Sequence, residues 1–207
     1  FFVDISRSTL MPSVPQVERA LKKLRSGETV LPGESAPCDP SRIKGMLFVD
    51  VFGMPAPWEE LEILSRQENL LLFEDSCEAL GGRLEGRSCG SFGVGGAFAF
   101  YPNKQITTGE GGVVVTDNPE IASICRSLIN QGRDDSGTWL SHVRLGYNYR
   151  MSELTAALGR SQIARLDGIL EKRNSVALRY ESLLGHLTEL ILPSPPAWTD
   201  LPSWFVY

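Results

Sequence analysis

Between Gln16 and Gly27 the apolar positions Val17, Ala20, Leu21 and Leu24 recur at i, i+3, i+4 and i+7, the spacing of one buried face of an α-helix, and Gly27 is a residue that stops it. The short apolar run FFVDI before it predicts a strand. The rhythm then repeats: MLFVDVFG (46–53) is apolar almost throughout, APWEELEILSRQEN has helical spacing, and LLLFED (70–75) is a second apolar run closing on acids. Strands that are apolar along their whole length, rather than alternating, suit a parallel sheet covered by helices on both faces. The predicted fold class is therefore α/β.

After Asp75 the pattern tightens into glycine-punctuated turns, GGRLEGRSCGSFG, followed by two predicted strands, GAFAFY and GVVVTD, joined through a loop that carries Lys104. A helix follows over 119–130. QGRDDSGTWLSHVRLGYNYR (131–150) has no period and reads as a long loop, a length usually reserved for function or an interface. From the N-cap Ser152 an apolar stripe through Leu154, Leu158, Leu166, Leu170, Tyr180 and Leu184 predicts one long helix ended by Gly185. LPSPPAW then reads as a linker. We divide the chain into a large domain over 1–151, a linking helix over 152–185 and the start of a smaller C-terminal domain over 186–207. Because it opens on Phe1 and stops at SWFVY, which has the pattern of an interrupted strand, both ends are expected to be internal to a longer protein.

The 207 residues are 42% hydrophobic and 22% charged, enough apolar content for one sizeable core. A net charge of -5 with interspersed signs offers no basic stripe to a nucleic-acid backbone and no polybasic membrane anchor. No apolar run approaches the ~18 residues of a membrane span. Cys38, Cys77, Cys89 and Cys125 are widely spaced with no CxxC pair, so neither a disulfide framework nor a zinc site is expected, and we read them as reduced thiols of a cytoplasmic protein.

Within FAFYPNKQITTGEGG (98–112) Lys104 is the sole charge from Ala97 to Thr108. Such a lysine either carries its ammonium into water or serves as an isolated reactive amine. Asp75 ends a predicted strand, and open parallel sheets bind ligands beyond the carboxyl ends of their strands. With Lys104 at the end of a later strand, the pair suits pyridoxal phosphate: the amine can bond the cofactor aldehyde, and the carboxylate can keep the pyridine nitrogen protonated. TTGEGG lacks the lysine and serine spacing of a P-loop and precedes a strand. GSFGVGGAF does not complete the GxGxxG pattern, which disfavours a nicotinamide cofactor. His142 and His186 have no nucleophile near them in sequence and read as ordinary surface residues.

LLLFEDSCEALGGRLEGRSCGSFGVGGAFAFYPNKQITTGEGGVVVTDNPEI, with LINQGRDD and LGYNYRMSELTAALGRSQIARLDGILEKRN, resembles the DegT/DnrJ/StrS family of sugar-nucleotide aminotransferases, which are fold type I pyridoxal phosphate enzymes. The resemblance runs from FVDI to SWFVY. It implies that Lys104 is the lysine that anchors the cofactor and shuttles the proton, and that Asp75 is the partner of the pyridine nitrogen. Cys77 falls at the small-residue position under the ring. Glu78 falls where the family often has glutamine or histidine near the phenolic oxygen. Asn148 matches an asparagine that the neighbouring subunit lends to the cofactor phosphate, which implies a homodimer with shared sites. Two departures stand out: Ala99 occupies the position of a phosphate-binding serine, and Glu78 is acidic. The family's N-terminal segment, with its phosphate-binding turn and ring-stacking aromatic, would precede Phe1.

The activity so implied is transfer of an amino group, from glutamate, to the keto group of a nucleotide-linked deoxysugar, in aminosugar or polysaccharide synthesis. A branch of the family has histidine in place of the lysine and dehydrates keto-sugars; its EDxC strand end resembles EDSC here, whereas Lys104 fits transamination. A non-catalytic sugar-nucleotide-binding relative is the third reading.

Overall fold

The computed structural model describes residues 1–29, 39–134 and 141–207. Cys38 and the middle of the 131–150 loop lie outside the described residues. The elements are α1 (Val14–Arg25), β1 (Gly45–Val49), α2 (Trp58–Glu68), β2 (Leu71–Asp75), β3 (Arg83–Leu84), β4 (Arg87–Ser88), β5 (Gly95–Ala99), β6 (Gly112–Val115), α3 (Pro119–Ile129), α4 (Glu153–Ile163), α5 (Leu166–Leu184) and β7 (Thr199–Leu201). The main sheet has the order β1-β2-β5-β6. Its first three strands are parallel and β6 runs antiparallel to β5. A small second sheet has the order β4-β3-β7.

Helix ends follow local chemistry. Asn118 caps α3 by accepting from the Glu120 and Ile121 N–H groups, and Ser152 caps α4 by accepting from Thr155 N–H. Asn69 ends α2 in the left-handed region, which asparagine tolerates. The periodic face read from α1 is the buried one: Val17, Ala20, Leu21 and Leu24. Val17 and Leu21 pack with Trp58, Leu61 and Leu64 of α2 onto Met46, Phe48 and Leu72 of the sheet. The stacked rings of Trp58 and Phe92 lie in the same core.

Four expectations differ from the structure. Burial alternates along β1 and β2: the described residues cover one face of these strands, while Leu47 (65% exposed), Val49, Leu71 and Phe73 stay open on the other. The physical reason is that α1 and α2 share a single core on one side. FFVDI forms no strand, because no strand of either sheet pairs with it and a lone strand has no ladder. The single long helix is two, α4 and α5, parted at Ala164 and Arg165. Leu154 is 86% exposed and α4 buries no residue, whereas α5 buries Leu170 and Ala177. One periodic stripe thus serves two environments. Finally, SWFVY is not a strand: β7 lies upstream and pairs antiparallel with β3, while Ser203 and Phe205 donate their N–H groups to the Gly53 and Phe52 carbonyls.

Candidate active site

Parallel pairing lines up the carboxyl ends of three strands, Val49 beside Asp75 and Asp75 beside Ala97. The ladder continues one step further. Asp50 N–H donates to the Asp75 carbonyl and Ser76 N–H to the Ala97 carbonyl, each at 3.0 Å. The chain then turns, with Ala79 N–H donating to the Ser76 carbonyl. This turn displays Asp75, Cys77 and Glu78, all half-buried. Asp75 Oδ1 accepts from Cys77 N–H at 3.2 Å.

Lys104 follows β5 in the irregular turn before Thr108, with its side chain only 13% exposed. Its Nζ lies 3.5 Å from Glu78 Oε1, an ion pair longer than a tight hydrogen bond. The other Glu78 oxygen, Oε2, accepts from Phe52 N–H at 2.9 Å. Phe52 is a non-glycine residue at φ 58° in the turn after β1. The same amine also meets an aromatic face, with the Phe205 ring centroid 4.2 Å from Nζ. Gln105 fastens the same turn, donating from Nε2 to the Glu78 and Ser203 carbonyls.

Electrostatics separate the acids by role. Burial, followed by the hydrogen bond and charge of Asp75, pushes the Cys77 thiol up to about 12, so it stays neutral and is no nucleophile. Asp50 is fully buried. Burial raises its pKa to about 6, opposed by hydrogen bonds from Ser76 Oγ (2.7 Å), Ala56 N–H (2.8 Å) and Trp58 Nε1–H (2.7 Å). It therefore braces the Asp75–Ser76 turn from beneath. Glu74, also buried, accepts the N–H groups of Gly90, Phe92 and Gly93 and organises the glycine turns before β5.

Four of the residues expected from sequence thus gather in one place: Asp75, Glu78 and Lys104 all act electrostatically on Cys77. Asn148 does not join them. It is exposed, and its backbone pairs with Asn130 at the end of α3. Ala99 lies in β5 and brings no hydroxyl. The donor set suits pyridoxal phosphate, since Lys104 is a shielded primary amine able to bond an aldehyde and Asp75 a half-buried carboxylate able to hold a proton at a pyridine nitrogen. Asp50, Gln105 and Phe205 were not legible as site neighbours. The one available signal was that MLFVD ends on an acid as LLFED does.

The family model of the DegT/DnrJ/EryC1/StrS aminotransferases matches residues 1–207. A GDP-perosamine synthase of Caulobacter vibrioides is 34% identical over 166 residues, 80% of this chain and 44% of that protein. A protein of Bacillus subtilis named "Putative pyridoxal phosphate-dependent aminotransferase EpsN" is 33% identical over 186 residues, 90% of this chain and 45% of its own. Among solved structures, a DegT DnrJ EryC1 StrS aminotransferase from Brucella abortus superposes with a TM-score of 0.83 at 29% identity, covering 99% of this chain and 51% of that one. The chain spans about half the length of the curated relatives it matches. Its fold is that of the fold type I aminotransferases, and it belongs to the DegT/DnrJ/EryC1/StrS aminotransferase family of pyridoxal phosphate enzymes.

Proposed function

We propose that the complete protein is a pyridoxal phosphate-dependent aminotransferase that moves an amino group from glutamate to the keto carbon of a nucleotide-linked deoxysugar. The observation that carries this reading is the setting of Lys104: a shielded amine, ion-paired with Glu78, at the strand ends that also carry Asp75. When bound, pyridoxal phosphate supplies an electron sink for the carbanion formed at the reacting carbon. The protein's part is to hold and move protons. Asp75 keeps the ring nitrogen protonated, and Lys104 Nζ, once released from Glu78, carries the proton to and from the reacting carbon. Phe205 and the low exposure of Lys104 keep bulk water off the amine. Cys77, neutral, would offer a small apolar surface to the bound cofactor. Asn148, exposed as it is, serves the phosphate in the site of a second copy, in a homodimer.

The free thiols Cys77, Cys89 and Cys125 fit a reducing cytoplasmic setting. No helix among the described residues is long and apolar enough to cross a membrane.

Incubating the complete protein with pyridoxal phosphate, reducing with borohydride and mapping the modified peptide tests the reading directly. The label is expected on Lys104. A folded protein that carries no label there refutes the anchor and leaves the sugar-nucleotide-binding reading. In a separate, unreduced sample of the cofactor-loaded protein, keto-sugar nucleotides and glutamate are supplied; a ketone product formed without consumption of the donor would assign dehydration instead.

A further inference from the structure

Arg173 projects from α5, 69 residues along the chain from Lys104. Its guanidinium makes three hydrogen bonds, all to main-chain carbonyls: Nη1 donates to Trp204 O and Phe205 O, each at 3.0 Å, and Nη2 donates to Lys104 O at 3.1 Å. Among the described residues no carboxylate lies within ion-pair distance of it. Burial pulls its pKa below the ordinary arginine value, yet arginine keeps its charge in proteins. A partly buried cation is costly unless its donors are matched. Here the matching acceptors all belong to the lysine turn and to the segment bearing Phe205.

The consequence is geometric. Phe205 stands with its ring 4.2 Å from Lys104 Nζ, and the guanidinium holds the carbonyls of both residues. A planar, rigid fork fixes their separation in a way a flexible ammonium cannot. The lysine turn itself is irregular, held by Lys104 N–H on Tyr101 O and Thr108 N–H on Phe100 O. The Phe205 segment is anchored independently, with Phe205 N–H on Phe52 O and Ser203 N–H on Gly53 O. Phe52 is also the residue whose N–H orients Glu78. Arg173 therefore closes a ring of contacts, Glu78 to Phe52 to Phe205 to Lys104, around one amine.

We propose that Arg173 is a positioning residue that acts through the main chain to hold the Lys104 amine between the Glu78 carboxylate and the Phe205 ring. The inference rests on Lys104 being the reactive amine of this site, and deepens that reading. It is tested on the cofactor-free complete protein by trace labelling of lysines with acetic anhydride, each modified peptide being quantified by mass spectrometry against exposed Lys22 and Lys23 of α1.

In Arg173→Met the three charge-assisted bonds are lost and the turn loosens, so Lys104 labelling relative to Lys22 and Lys23 is expected to rise at least about threefold. Arg173→Lys, which restores charge but not the fork, is expected to lie between wild type and Arg173→Met. The exposed reference lysines correct for reagent dose, and the comparison is confined to protein whose circular dichroism and melting curve remain native, because global loosening would itself expose the shielded Lys104 and raise the ratio. An unchanged ratio in folded Arg173→Met overturns the proposal; if that variant does not fold, an unchanged ratio in Arg173→Lys does so. Because no cofactor is present, a negative result leaves the aminotransferase reading standing, and failure of the borohydride label leaves this result standing.

Discussion

Asp50 supplies the sharpest energetic test of this arrangement. Its buried carboxylate receives Ser76 Oγ, Ala56 N–H and Trp58 Nε1–H, and burial holds its pKa at about 6. An unfolded aspartate titrates near ~3.9. The folded protein therefore binds this proton more tightly than the unfolded chain does. The stabilisation from protonating Asp50 is fully present below about pH 4 and is lost as pH rises through about 6. A displacement of about two pH units corresponds to about 3 kcal/mol. Asp50→Asn removes this titration while keeping the shape, and its carbonyl oxygen can still serve Ala56 and Trp58 while the Ser76 hydroxyl rotates to accept from the amide. Urea unfolding followed by circular dichroism at a series of pH values between 4 and 7.5 gives the stability of each protein. The stability of wild type minus that of Asp50→Asn is expected to fall by about 3 kcal/mol across that range, most of it between pH 4 and 6. Subtracting the variant cancels the carboxylates that do not interact with Asp50; the charge of Glu74 acts on Asp50, so the difference reports the two together. Parallel pH profiles would refute the assignment of a raised pKa to Asp50.

Two further outcomes follow from the packing around the site. Glu74→Ala leaves the N–H groups of Gly90, Phe92 and Gly93 without their acceptor, and should lower stability by about 3 kcal/mol in thermal or urea unfolding; a loss under about 1 kcal/mol would mean that water replaces the carboxylate. Gly53 has φ +87°, and a Cβ there would sit 1.7 Å from the Ser203 carbonyl oxygen. Gly53→Ala should therefore cost about 2 kcal/mol or more and raise hydrogen exchange at the Ser203 and Phe205 amides, and unchanged exchange there would refute the contact.

The amino-acid sequence by itself determined the elements whose causes are local. The apolar face of α1, the Ser152 cap, the β1, β2, β5 and β6 runs and the α/β class all follow from spacing and from residues a few positions apart. Family likeness marked Lys104, Asp75, Cys77 and Glu78, and the parallel register then set their elements side by side. Tertiary structure decided what depends on a distant partner. FFVDI has a strand's composition but pairs with no strand among the described residues, and the stripe from Leu154 to Leu184 breaks because the packing that buries Leu170 does not extend to Leu154. MLFVD and LLFED look alike as text, yet Asp50 is buried against Trp58 and Ser76 while Asp75 remains half-exposed. The contacts that set the amine, Glu78 at 26 residues and Arg173 at 69 residues from Lys104, carry no short-range signature. Periodicity records which face a segment buries; it does not record which carbonyl a guanidinium will meet once the chain has closed.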